Sequence, residues 1–276
     1  NQKAAGAGAF ASFAQAVQVI KGQAYASGKV TISVAPGNYS TEDIAKIAGV
    51  SSNGGEYYTL IIEGTGALPS NTILPNIVLL YQYAAIYNVT IDNFSSQQSS
   101  AVTIDGCRLG MSAFYGTYAS VSNTAYFGNR GVAISVNSPG CSTNLTGISV
   151  EGTPTYSYAF LVATAGVVYM GSVFTGTATG VKYICGEDGK ILAPSSYINS
   201  IPGNAAGYAE LGGFVRGRPM TEPNYTVAEL PPATLGYRAF VTDATLGLAA
   251  GLGTVVVGGN TNIVPVYANG TNWLIG

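Results

Sequence analysis

The chain has 276 residues, of which only 9% are charged, against roughly 25% in an ordinary soluble protein. Its net charge is −2 and it contains no His, which excludes Ser-His-Asp triads and zinc sites. The 11 Lys and Arg are dispersed, with none between positions 46 and 108, so no basic stripe is present for nucleic acid.

Hydrophobic residues make up 47% of the chain and Gly occupies 37 positions. That profile suits an all-β chain with many tight turns and a large core, kept soluble by Ser, Thr, Asn and Gln. No apolar run reaches the roughly 18 residues of a membrane span. The longest, residues 73–87, is broken by Pro75, Asn76 and Gln82. Cys107, Cys141 and Cys185 are odd in number and far apart. They predict buried reduced thiols, not a disulfide framework. No secretory signal opens the chain, and it starts at Asn1 without Met, so a longer parent protein is expected.

In chain order, residues 10–25 place Phe10, Phe13, Ala14, Val17 and Ile20 at helical spacing, with Gly22 as a stop. Residues 29–40 (KVTISVAPGNYS) then alternate Val30, Ile32 and Val34 on one face and turn at Pro36-Gly37. Phe13, Ala16 and Val17 in the helix, followed by Val34, Pro36, Gly37 and Tyr39, resemble the start of the pectate-lyase-like right-handed β-helix superfamily. The resemblance implies that the helix plugs the open end of a solenoid, where strand edges would otherwise lie unpaired.

Residues 41–50, a Thr followed by two acids, predict a short helix in a loop. From Tyr58 to about Glu187 the sequence reads as short strands separated by Gly, Ser, Asn and Thr. Within it, NVTIDNF (residues 88–94) and AVTIDGC (residues 101–107) share Val-Thr-Ile-Asp and then a turn-prone Asn or Gly. Each predicts a strand running into a turn. Glu63, Asp105 and Glu151 each precede Gly and lie 42 and 46 residues apart, twice a coil of about 20–25 residues. They are expected to stack in phase. Asp92 precedes Asp105 by only 13 residues, too few for a coil, which puts the two VTID units on different faces.

The strand pattern weakens over residues 190–217, and four prolines in residues 218–232 mark a boundary near Pro219. Residues 236–244 (GYRAFVTDA) and 262–276 (NIVPVYANGTNWLIG) resemble a small β-rich domain that recurs at the C-terminus of bacteriophage tail-fibre and tail-spike proteins. The resemblance is carried by Arg238, Ala239, Phe240, Val241, Asp243, Val264, Pro265, Val266, Tyr267, Gly270, Trp273 and Gly276. Its Ala-Asn-Gly-Thr is a hairpin-turn signal, and the lone Trp273 reads as a buried anchor. The expected organisation is an N-terminal segment with a capping helix over residues 1–28, a parallel β-helix over 29–218 and a β-rich domain over 219–276.

Two constellations are candidates for chemistry. Glycoside hydrolysis needs two carboxyls about 5–5.5 Å or about 6.5–9.5 Å apart, and stacked coils are about 4.8 Å apart. Glu63 and Asp105, two coils apart, fall at or beyond the far limit. Glu63, Asp92 and Asp105 are the carboxylates a hydrolase or lyase would use. Bonding to turn amides is the plainer role for such acids, so no catalytic residue, metal or cofactor is assigned. The second constellation is aromatic: 19 Tyr, whose apolar ring and polar tip suit stacking on sugars. Tyr81 and Tyr83 are predicted to share a strand face. Gly, Thr and Ser neighbours suggest exposed loops, which makes Tyr115, Tyr118, Tyr126, Tyr156 and Tyr158 the candidate carbohydrate-binding residues. Six N-x-[ST] sequons carry no weight in so Ser/Thr-rich a chain.

The two resemblances together imply a phage tail-fibre or tail-spike receptor-binding protein, assembled in the host cytoplasm and carried on the virion. They imply a homotrimer, joined through upstream residues or other virion proteins, that binds bacterial surface polysaccharide or lipopolysaccharide with avidity. The alternatives are a polysaccharide depolymerase on the same scaffold and a structural decoration part of the virion. Neither nucleic acid nor membrane insertion is expected.

Overall fold

Short runs of Val, Ile and Thr ended by Gly, Asn or Ser fold here as parallel strands. The computed structural model describes residues 10–21, 24–25, 29–44, 46–48, 50–52, 60–98, 101–216 and 224–276. The chain divides into two compact units, Asn1–Gly217 and Arg218–Gly276.

The first unit is mostly β and is built like a parallel β-helix, on two long parallel sheets. Sheet I has nine strands, from Val30–Val34 through Leu60–Gly64, Tyr83–Tyr87, Ala101–Asp105, Tyr118–Ser122, Ser142–Thr146, Val167–Met170 and Lys190–Leu192 to Phe214–Arg216. Sheet II takes the alternate strands, among them Thr90–Gln97, Arg108–Tyr115, Arg130–Asn137, Thr155–Thr164 and Thr179–Gly186. One coil is therefore one strand of sheet I and one or two of sheet II. Successive partners in sheet I are as little as 17 residues apart (Ala101 and Tyr118) and as many as 30 (Val30 and Leu60).

Period-two alternation decides which side chains enter the core. Ile32, Ile62, Ile86, Ile104, Val121, Leu145 and Met170 are register partners in that order and form one buried column. Each such side chain contributes on the order of 1.5–3 kcal/mol by leaving water. Sheet II adds aromatic contacts: Phe94 with Phe114 at 6.0 Å, and Phe160 with Tyr156 at 5.3 Å and Tyr126 at 6.0 Å. The helix Phe13–Ile20, capped by the Ser12 side chain, buries Phe13, Ala16, Val17 and Ile20 in the same apolar cluster as Ile32 and Val34. Among the described residues of the span 41–50, the expected short helix does not form. Ile47–Ala48 pairs instead with Leu79 and Leu80, and Glu42 accepts a 2.7 Å bond from Ala14 N–H. An acid read as the start of its own helix serves the first turn of another.

The corners repeat as regularly as the strands. At one, Asn88, Gly106, Asn123 and Gly147 all have left-handed backbone, φ +52, +62, +47 and +63°. Asn88, Gly106 and Asn123 donate their amides to Asp105, Ser122 and Thr146 carbonyls on the next coil. At the other corner Tyr81, Gln98, Gly116, Ser138 and Ala165 do the same. The doubled VTID therefore marks two different places. AVTIDGC lies in sheet I and turns at Gly106. In NVTIDNF, Asp92-Asn93 makes no turn and stays inside the strand Thr90–Gln97 of sheet II.

In the second unit, Arg238–Ala244 pairs antiparallel with Asn262–Ala268, which pairs antiparallel with Trp273–Ile275. Gly270 (φ +92°) and Asn269, which accepts from the amides of Thr271 and Asn272, form the hairpin turn. Trp273 is buried among Val241, Val264, Val266 and Ile275, and its indole N–H donates to Pro231 O at 2.8 Å.

Candidate functional site

Because alternate residues of sheet I point inward, the others form columns on its outer face. One column runs Tyr83, Ala101, Tyr118, Ser142 and Val167. The next runs Ala85, Thr103, Ser120, Asn144 and Tyr169, and the third Ser33, Glu63, Tyr87, Asp105 and Ser122. Tyr83 is 41% exposed and Tyr118 63%, while Ala101 between them is only 7% exposed. Two tyrosines thus stand two strand spacings apart, about 9.6 Å, separated by a residue with a single methyl. Tyr169, Asn144, Ser120 and Thr103 give the adjacent column an aromatic ring and hydrogen-bonding groups.

Glu63 and Asp105 do stack, both in register with Tyr87, which occupies the position between them. Ser33 Oγ donates to Glu63 at 2.7 Å. Asp105 Oδ1 accepts from Ser122 Oγ at 2.8 Å and from Asn123 Nδ2 at 2.9 Å. Their two-spacing separation, about 9.6 Å, is too wide for a retaining pair and at the limit for an inverting one. Glu151 does not join the column. It follows the strand Ser149–Val150, which pairs with Ala125–Tyr126 in sheet II, and its carboxylate accepts from Arg108 Nε at 2.9 and 3.0 Å and from Arg108 Nη2 at 2.5 Å. Unequal coil lengths defeat the extrapolation from a fixed period. Asp92 lies in sheet II, ion-paired to Arg130.

The five tyrosines chosen from sequence separate into two classes. Tyr115, Tyr118 and Tyr158 are exposed. Tyr126 and Tyr156 are core residues, 0% and 1% exposed, and are corrected from binding to packing roles. Tyr126 shares a 2.7 Å hydrogen bond with Ser112 Oγ. Burial pushes the Tyr156 hydroxyl up to about 12, against a smaller lowering by Arg130. TYSY is not a loop but the start of the strand Thr155–Thr164, so alternation sends Tyr156 inward. Tyr115 and Tyr158 lie in sheet II, away from Tyr118. Tyr81 does not share a strand face with Tyr83, because it occupies the left-handed corner at φ +49°. Tyr83, Tyr87 and Tyr169 are aromatic residues of the sheet I face that the sequence did not single out as binders. Their signal was the strand register, which composition does not carry.

The outer face of sheet II carries a small apolar cluster, Ala159, Val162 and Ile184, with Val132 and Val181 packed against it. The three cysteines are buried and unbridged. Among the described residues no group of three or more Asp, Glu, Cys or His gathers at a metal-binding distance. No protein-family model, curated protein or solved structure matches the chain.

Proposed function

We propose that the protein is a host-recognition part of a bacteriophage tail fibre or tail spike, binding bacterial surface polysaccharide or lipopolysaccharide on the outer face of sheet I. The observation that carries this is the column Tyr83, Ala101, Tyr118, two exposed phenol rings flanking one small residue on a rigid sheet. Sugar rings present an apolar C–H face to such aromatics and hydroxyls to Thr103, Ser120 and Asn144. Strands hold these groups with little entropy left to lose on binding. The resemblances at residues 10–40 and 236–276 supply the phage context, the right-handed winding and the capping role of the helix Phe13–Ile20. A homotrimer on the virion would present three such faces and gain by avidity.

The test is binding of the intact protein to capsular polysaccharide and lipopolysaccharide from a panel of bacteria. A Tyr83→Ala/Tyr118→Ala variant is expected to lose binding while keeping its fold. Unchanged binding in that variant would remove the sheet I face from consideration. Release of reducing ends from any polysaccharide would favour the second reading, a depolymerase, which rests on Glu63 and Asp105 sharing one column. A monomeric mass in solution would remove the avidity argument.

A further inference from the structure

We propose that the C-terminal unit carries a binding site of its own, for a sugar ring bearing a carboxylate, in the cleft lined by Arg238, Phe240, Pro265, Tyr267 and Gly276. The cleft follows from strand register. Antiparallel pairing sets Arg238 opposite Tyr267 and Phe240 opposite Pro265. Residues two apart share a face, so all four stand on the side of the sheet away from Ala239, Val241, Val264 and Val266, which form the core. The cavity measures about 290 Å³, at the lower end of the roughly 300–1,000 Å³ of small-molecule sites, which is room for one ring and not for an oligosaccharide. Gly276 keeps it open: a Cβ there would lie 2.5 Å from Tyr267 Cε1 and 2.8 Å from Cδ1, so a side chain would displace the ring.

Charge selects the ligand. Within residues 224–276 Arg238 is the only cation, and Glu229 and Asp243 are the only acidic side chains. Both acids are engaged elsewhere. Glu229 accepts from Thr226 N–H and Oγ at 2.9 Å, and Asp243 accepts from Val227 N–H at 2.8 Å. Arg238 forms no ion pair among the described residues. A planar guanidinium fork fits a carboxylate in bidentate fashion, and Tyr267 with Phe240 offers an apolar wall for the C–H face of a pyranose. A neutral sugar would leave the guanidinium uncompensated, and a bare anion would leave the aromatic wall uncovered. A uronic-acid-type ring satisfies both. The site does not depend on the sheet I reading, because it uses no residue of that face.

Calorimetric titration of the full chain with methyl glucuronide, methyl glucoside and inorganic phosphate tests it. Methyl glucuronide should bind about tenfold more tightly than the glucoside, equivalent to about 1.4 kcal/mol, and more tightly than phosphate. Arg238→Gln should bring the glucuronide down to the level of the glucoside. Arg238→Lys, which keeps the charge and loses the fork, should recover only part of the affinity. Tyr267→Ala should weaken binding about fivefold with the charge intact. In a Tyr83→Ala/Tyr118→Ala chain, which removes the proposed sheet I site, the preference for glucuronide over glucoside should persist and should still be lost on adding Arg238→Gln, which separates failure here from failure of the sheet I site. Arg238, Tyr267, Tyr83 and Tyr118 are all exposed, so these variants are expected to keep the fold, which a thermal melt checks. No saturable glucuronide binding, equal affinity for glucuronide and glucoside, phosphate binding as tight as glucuronide, or unchanged binding by Arg238→Gln would each overturn the proposal.

Discussion

Asp92 and Arg130 form an ion pair that skips a coil. Asp92 belongs to the strand Thr90–Gln97 and Arg130 to Arg130–Asn137, and the strand Arg108–Tyr115 runs between them. The bridge passes over Gly110, where a Cβ would lie 2.3 Å from the Asp92 backbone carbonyl oxygen, 2.7 Å from Asp92 Oδ1 and 2.9 Å from Arg130 Nη2. Nearby, Arg108 reaches Glu151 in the same way, its guanidinium carbon 4.7 Å from the Phe127 ring. Backbone ladders join only neighbouring coils, so these arginines add a tie between next-nearest ones.

Gly110→Ala puts a methyl into the space the bridge uses. The ion pair or the strand must then shift, and overpacking of this kind typically costs about 1–3 kcal/mol. Thermal unfolding should show a clear fall in Tm. A variant as stable as the parent would mean that neither the close approach of the two strands nor the bridge depends on the missing side chain.

The Arg108–Glu151 pair predicts a specific acid dependence. Hydrogen bonding to Arg108 holds the Glu151 carboxyl below its usual value, against a smaller raising effect of burial. A carboxyl depressed in the folded state contributes its stability above the unfolded pKa, about 4.3, and loses it as pH falls through the folded one. The Glu151 side chain is 43% exposed, so the contribution is held to about 0.5 kcal/mol by solvent screening. Comparing melts of the parent and Glu151→Gln from pH 7 to pH 3 should show the parent ahead at neutral pH, with the gap closing below about pH 4. A gap that widens in acid would have the wrong sign for this pair.

Tyr118 and Tyr126 lie eight positions apart in sequence and should behave oppositely. Tyr126→Ala empties a fully buried site beside Ser112 and Phe160, at a cost of about 3–5 kcal/mol. Tyr118→Ala removes a ring that is 63% exposed and should change stability by under about 0.5 kcal/mol. Under the proposed function it is Tyr118→Ala, not a folded Tyr126 variant, that loses polysaccharide binding. Denaturant titration and a pull-down on host polysaccharide read the two effects separately.

How much of this was legible differs by residue. The inward column from Ile32 to Met170 is written as alternation, and alternation is local, so strands were read well. That Asp92 and Asp105 lie on different sheets followed from a spacing too short for a coil. Glu151 was misplaced because coils vary from 17 to 30 residues, and one shift of register carries a residue to another sheet. Tyr156 was misread because its Ser and Thr neighbours imitate a loop, whereas they are the outward residues of a strand. The column of Tyr83 and Tyr118 is long-range register information, which a single sequence does not state.

The cysteines offer a direct chemical check. Burial pushes the Cys107 thiol up to about 12, against smaller lowering by the backbone amides around it, and raises Cys141 and Cys185 as well. Reactivity belongs to the thiolate. At pH 8 a disulfide-exchange reagent should therefore label the native protein negligibly and the denatured chain at all three positions. Prompt native labelling would show that the coils open around these residues.

The left-handed corner makes the last prediction, because one column mixes Asn and Gly in equivalent roles. Gly106 sits at φ +62° between Asn88 and Asn123, and a Cβ there would meet nothing within 4 Å. Asn tolerates this backbone through local hydrogen bonding, whereas a β-branched side chain does not. Gly106→Asn should be near neutral and Gly106→Val should cost about 1–2 kcal/mol. Gly147, two positions beyond Gly106 along the column, differs. A Cβ there would stand 2.8 Å from Asn123 Oδ1, pushing away the carboxamide whose Nδ2 donates to Asp105 at 2.9 Å. Gly147→Asn should therefore lose about 1 kcal/mol, although its φ of +63° matches that of Gly106. Denaturant midpoints should rank the parent and Gly106→Asn together, above Gly147→Asn and Gly106→Val. If Gly106→Asn were the more damaging of the two Asn substitutions, contact along the column would not be what distinguishes the corners.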